Sequence, residues 1–246
     1  MKKKFANLEL LRKKSLNYHS KKEYIKKSTK FLNFLLESNY NYLFDWMGVP
    51  VIQLPNDILV IQELIYKEQP DLILECGIGH GGMLIFYSSI LNLIGKKKYN
   101  IIGVDIFIRK VNQNKIKNHR LSKNISLFES SSVEDNFIKQ FDKKFNKKSK
   151  KKIIFLDSNH TKDHVLEELN KYSKILKKGE YIVVMDTVID MIDNKFNKNK
   201  PFGKGNSPMD AVKIFLKTNK NFKLDKFYEN KSFLTVARNG FLKKIK

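Results

Sequence analysis

Residues 71–82 read Asp-Leu-Ile-Leu-Glu-Cys-Gly-Ile-Gly-His-Gly-Gly, and no other stretch constrains the fold as tightly. An apolar run bounded by Pro70 and a glycine cluster is the pattern of a buried parallel strand. Gly77, Gly79, Gly81 and Gly82 fall within six positions. The segment Met83–Ile94 is then apolar, free of proline and predicted helical. Strand, glycine loop and helix in that order open a nucleotide-binding α/β unit. The glycines serve a tight turn and let a ligand approach the backbone with no Cβ in the way.

The rest of the chain repeats the alternation. Tyr99–Asp105, Asn124–Ser130, Ile153–Asp157 and Tyr181–Asp186 are predicted strands. Helices are predicted over Ile58–Lys67 with Asp57 as cap, Phe137–Lys152, Thr161–Leu176 and Met209–Asn219. Five strands alternating with helices imply a doubly wound, mostly parallel sheet. Phe222–Tyr228 and Phe233–Arg238 are predicted to close it as a C-terminal β-hairpin, giving a seven-stranded, Rossmann-like α/β domain. Residues 1–30 are lysine-rich and predicted to form a frayed helix or mobile arm, and Phe31–Trp46 a helix or helix-loop. The expected division is a basic N-terminal helical extension over 1–40 and one catalytic-type domain over 41–246. Residues 190–208 hold Pro201, Gly203, Gly205 and Pro208 and are predicted to form a lid or active-site loop.

Composition bounds the function classes. A net charge of +23 usually points to nucleic acid or an anionic surface. Only Arg12, Arg109, Arg120 and Arg238 are arginines among 48 basic residues, whereas nucleic-acid interfaces favour the arginine fork. Solvated lysine faces are therefore expected, with no specific nucleic acid and at most weak contact with an anionic membrane surface. The lone cysteine, Cys76, excludes an intramolecular disulfide and fits a reducing cytoplasm. No signal peptide or membrane span is read in the sequence.

Ligands of doubly wound sheets sit outside the carboxyl ends of the strands, where Glu75, Asp105, Asp157 and Asp186 are all predicted to project. Asp105 lies 28 residues beyond Gly77, and a carboxylate there can accept both hydroxyls of a ribose. The glycines fit a dinucleotide GxGxxG formally, but an acid two residues before the first glycine fits better with E-x-G-x-G-x-G, which resembles the first motif of class I methyltransferases that use S-adenosylmethionine (AdoMet). Asp157 and Asp186 end neighbouring strands, and two close carboxylates repel unless a proton or cation lies between them. Oxygen ligands of this kind suit Mg2+; the alternative is that both merely cap loops. His160 is a candidate base or an orienter of another ligand, and His164 faces either core or solvent.

The assembled motifs resemble the cephalosporin hydroxylase-like family, which includes rhamnosyl O-methyltransferases. The resemblance runs from about Tyr42 to Leu242. It rests on Trp46-Met-Gly, Gln53-Leu-Pro-Asn-Asp57, the Glu75–Gly82 loop, Asp105, Ser131-Ser132, Leu156-Asp-Ser-Asn-His160, His164–Leu169, Asp186-Thr187, Pro201–Ala211 and Asn239-Gly-Phe-Leu242. It implies an AdoMet-dependent O-methyltransferase with a Mg2+ site, acting on a hydroxyl of a sugar or small molecule, and frequently a homo-oligomer. Carried over by residue, Glu75, Gly77, Gly79, Gly81, Asp105, Ser131 and Ser132 hold AdoMet. Asp157, Asp186 and Thr187 hold the metal, and His160 with Asp157 is catalytic. Met185 replaces the glutamate usual in relatives, Asn159 an aspartate and Ser130 a glycine. Two other readings stay open at this point: a basic nucleic-acid-associated protein, and a metal-free or inactive relative.

Overall fold

The computed structural model describes the backbone of residues 2–246 and the side chains of residues 7–246. Its centre is a seven-stranded sheet of β3 (Leu72–Cys76), β4 (Asn100–Asp105), β5 (Ile125–Glu129), β6 (Lys152–Leu156), β7 (Tyr181–Val184), β8 (Phe222–Leu224) and β9 (Phe241–Lys244). The order is β5-β4-β3-β6-β7-β9-β8, parallel except for β9, which runs antiparallel to both its neighbours. The chain winds outward from β3 to β5 and then returns to β6 on the other side of β3. The tips of β3 and β6 therefore flank the switch point, where such sheets take their ligands.

Two-residue alternation sends the strand side chains to two separate cores. Ile73, Ile153, Phe155, Tyr181 and Val183 face one side, under α3 (Pro55–Glu68) and α4 (Gly82–Leu93). Leu72, Leu74, Ile154, Leu156, Ile182 and Val184 face the other, under α6 (Asp135–Lys144), α7 (Lys162–Tyr172) and α8 (Pro208–Thr218). Glu75 shares its period with Ile73 and so enters the first core. Beside it, Gly103 pairs with Glu75 across the strands, and a Cβ there would meet Ile78 and Leu84 at under 3 Å.

Several elements differ from their predicted bounds. The lysine-rich N-terminus forms two helices, α1 (Lys2–His19) and α2 (Lys22–Glu37). A small antiparallel pair forms, its first strand β1 (Phe44–Trp46) at the end of the stretch predicted as helix or helix-loop and its second β2 (Val49–Val51) just beyond it. A helix, α5 (Lys110–Lys117), stands between the second and third predicted strands, where no element was predicted. The closing hairpin is real, but its strands are β8 and β9. Residues 226–231 form a short helix, α9 (Lys226–Lys231), started by Asp225, whose carboxylate accepts from the Phe227 amide. Asp57 is not the cap of α3. Pro55 takes the first helical position and Leu54 precedes it, because a fixed φ and a missing N–H suit that position. The Asp57 carboxylate, fully buried, accepts from the Val236 amide at 2.9 Å and the Ser232 hydroxyl at 3.3 Å. It thereby ties α3 to residues 232–236.

At the opposite end of the sheet Lys152 and Glu180, 1 and 2 % exposed, form an ion pair of 3.1 Å. Removing one partner strands a desolvated charge, whereas removing both does not. Lys152→Met is expected to lose about 3 kcal/mol in urea unfolding, and Lys152→Met/Glu180→Leu much less; equal losses would show that the pair carries no such penalty.

Candidate functional site

The glycine loop divides the cleft above β3 and β6 into two cavities. One, of about 330 Å3, is lined by Glu75, Gly77, Gly79 and Met83, by Gln53 and its neighbours, and by Asp157, His160 and Asp186. The other, of about 540 Å3, is lined by Gly77, Gly79, Asp105, Ile106, Ser131, Ser132, Ser158, His164 and Phe202, with Asp157 and His160 again on its wall. Gly77 has φ +84°, and a Cβ on it would lie 2.1 Å from the Asp157 carbonyl oxygen. The loop can pass between β3 and β6 only as glycine. Gly79 and Gly81 also have positive φ. Gly79 reaches both cavities, while Gly81 lines neither and begins α4.

Glu75 is 3 % exposed. Tyr87 donates to its Oε1 at 3.2 Å, and Oε2 has no partner. Burial first, and the charge of Asp105 second, push this carboxyl up to about 8. Asp105 accepts from the Ile78 amide at 2.9 Å and from the Phe107 amide at 3.2 Å, which fixes its carboxylate at the edge of the second cavity. Below that cavity Glu168 is completely buried and gathers Ser132 at 2.6 Å and Ser158 at 2.7 Å. His164, raised above its ordinary range by its bond to Glu168, also touches Ser132. Ser132 and Ser158 are thus tied together beneath the cavity floor.

At the junction of the cavities, Asp157, His160 and Asp186 bring one ligand atom each within 4.8 Å of one another. His160 Nε2 lies 3.3 Å from Asp186 Oδ2, and Phe202 stands edge-on to the imidazole at 5.0 Å. The 190–208 loop therefore reaches the cleft through Phe202. Gln53 donates its amide to Asp157 Oδ2 at 3.2 Å. Burial, then Asp186, then Glu75 hold the Asp157 carboxyl well above the usual carboxylate range. Asp186 itself has φ +52°, a left-handed conformation Asp tolerates better than most residues.

Thr187 and Met185 do not join this cluster. Thr187 is fully buried, gives its hydroxyl to the Val236 carbonyl and lines neither cavity. Met185 packs in the core on the α3–α4 side. Asn159 turns its oxygen to the Thr161 amide. Sequence reasoning assigned no role to Gln53, Tyr87, Ser158 or Asn41. Gln53 and Ser158 carried a signal, each as part of a quoted motif with no chemistry of its own attached to that residue. Cys76, buried among apolar neighbours with its thiol pushed well up, is inert packing.

Residues 38–245 match the rhamnosyl O-methyltransferase/CmcI family. The chain belongs to that family. A rhamnosyl O-methyltransferase of Mycobacterium tuberculosis is 30 % identical over 200 residues, covering 80 % of this chain and 76 % of the relative. Its counterpart in Mycobacterium leprae is 27 % identical over 198 residues, covering 80 % of this chain and 81 % of the relative. Among solved structures, an apo form of CmcI superposes with a TM-score of 0.56 at 16 % identity, over 83 % of this chain and 77 % of that one. The mostly parallel seven-stranded sheet with flanking helices matches the Rossmann-like fold of CmcI and other O-methyltransferases.

The Glu75 carboxyl gives a stability signature. Its folded value near 8 lies above the ordinary 4.5, so between those pH values the folded chain keeps a proton that the unfolded chain has released. Stability must fall as pH rises through that window, with the full cost present above 8. The melting temperature in EDTA is expected to drop from pH 5 to pH 8.5, and Glu75→Gln to flatten that slope; an unchanged slope in the variant would reject the assignment.

Proposed function

We propose that the chain transfers the methyl group of AdoMet to a hydroxyl of a sugar-bearing acceptor, with Mg2+ at the Asp157–Asp186 pair. The observation that carries this reading is the single cluster of Asp157, His160 and Asp186 shared by two cavities on either side of a glycine loop. The names of the mycobacterial relatives support the glycosyl acceptor, and CmcI has also been solved in a Mg–SAM form.

The donor set fits both groups. Glu75 Oε2 is a buried oxygen without a partner, and the ammonium of the AdoMet methionine end would favour the ionised carboxylate and donate to it. Asp105, Ser131 and Ser132 line a cavity of nucleoside dimensions. Asp157 is a desolvated carboxyl beside another acid, and a divalent cation relieves that conflict. Asp157 and Asp186 would hold the ion, leaving positions for oxygens that do not come from the protein. Thr187 has its hydroxyl committed elsewhere. When bound, AdoMet supplies an electrophilic methyl on a sulfonium, and Mg2+ supplies charge that favours the deprotonated acceptor oxygen.

The chain's own part is to move one proton and keep water out. With Nε2–H given to Asp186, the His160 ring presents Nδ1 as the lone pair that takes the acceptor's hydroxyl proton. Phe202 and Asp186 fix the ring plane. Val188, Ile189 and Val236 give the first cavity an apolar wall, so the hydroxyl is deprotonated where water competes poorly.

Isothermal titration should detect AdoMet binding at micromolar to millimolar concentration, and its absence would end this reading. His160→Gln is expected to lower kcat about 100-fold on methyl α-L-rhamnopyranoside with AdoMet affinity unchanged. Mg2+ should raise the melting temperature of the wild type and not that of Asp157→Asn. A metal response surviving in the variant would move the ion elsewhere.

A further inference from the structure

Among the described residues, six buried side-chain polar atoms lack a hydrogen-bond partner, and three of them line the first cavity: Asn41 Oδ1, Gln53 Oε1 and Glu75 Oε2. Buried polar atoms are nearly always paired, so three unpaired oxygens in one small cavity describe the complement of a ligand. Glu75 belongs to the methyl-donor half, beside the glycine loop. The other two come from the N-terminal side: Asn41 from the 310 turn Tyr40–Tyr42, and Gln53 from the loop between β2 and α3.

Gln53 is 5 % exposed. Its amide nitrogen donates to Asp157 Oδ2, and with a cation keeping Asp157 ionised the carboxylate would repel the amide oxygen. That bond leaves Oε1 unpaired beside the cluster at which the reacting hydroxyl must lie. Among the described residues, the same cavity wall contains no lysine or arginine, although the chain carries a net charge of +23. The groups that read the ligand are therefore neutral acceptors and an acidic cluster. Their unpaired oxygens select hydroxyl donors.

We infer that Gln53 and Asn41 are specificity-determining residues that accept hydrogen bonds from acceptor hydroxyls other than the one methylated. Gln53 links that recognition to Asp157, so a ring with neighbouring hydroxyls is held at the proton-accepting His160, and an acceptor with one isolated hydroxyl is held poorly. This inference rests on the methyltransferase reading above and adds the residues that choose the acceptor.

The test is binding of methyl α-L-rhamnopyranoside to the full-length protein loaded with S-adenosylhomocysteine and Mg2+, followed by titration calorimetry. Asn41→Leu and Gln53→Met, each checked for an unaltered circular dichroism spectrum, are expected to weaken glycoside binding about tenfold and S-adenosylhomocysteine binding less than about threefold. Removing one ring hydroxyl from the glycoside should weaken the wild type and cost the matching variant nothing further. Undiminished glycoside binding in Asn41→Leu, which breaks no bond to the acidic cluster, overturns the inference. So does a wild type that binds S-adenosylhomocysteine and ignores the glycoside, or a Gln53→Met that loses both ligands equally. A wild type that binds no S-adenosylhomocysteine instead removes the methyltransferase reading itself.

Discussion

Glu75, Asp157 and Asp186 crowd acidic oxygens around one poorly solvated cleft, and most of the site follows from how that charge is managed. Carboxylates under such conditions either keep their protons or recruit cations. Burial and mutual repulsion hold Glu75 and Asp157 toward the protonated form, Gln53 lends Asp157 a donor, and His160 leans on Asp186. A ligand with a positive pole at Glu75 and a divalent ion at Asp157 and Asp186 would discharge both halves of the conflict. The same clustering makes the empty cleft costly to fold, a common relation between stability and active sites.

The sheet explains why these acids meet. Parallel strands present the same end to one edge, and the order β4-β3-β6-β7 sets the tips carrying Asp105, Glu75, Asp157 and Asp186 side by side. Close approach is then a backbone problem, solved at Gly77, where any side chain would strike the Asp157 carbonyl. On the second cavity the equivalent task falls to Glu168, which fastens Ser132 and Ser158 from below.

The five parallel strands were legible because each is an apolar run ended by an acid, glycine or serine, and their observed bounds lie within two residues of those expected. The acids at the tips and the glycine loop were legible for the same reason. The flanks were not. Lysine recurs along α1 and α2 and blurs their apolar stripe, so helix and frayed arm look alike. Phe227 and Tyr228 extend the apolar run of β8, yet they belong to α9, a helix too short to display a period. Asp57 has the spacing of a cap, and its actual partner lies 179 residues away. Thr187 looked like a ligand by position, and only the Val236 carbonyl reveals its commitment. Long-range polar pairs of this kind leave no local trace.

That distant partner of Asp57 has a consequence for biosynthesis. The strand–glycine–helix unit that faces the methyl donor is complete once residues 72–105 have emerged, but Val236 walls the acceptor side of the cleft, its amide held by the α3 carboxylate and its carbonyl by Thr187 and the Val188 amide. A nascent chain still lacking residues 232–236 leaves that carboxylate buried without its amide and the pocket without a side. The acceptor side of the cleft is therefore assembled only when the C-terminal segment has joined α3.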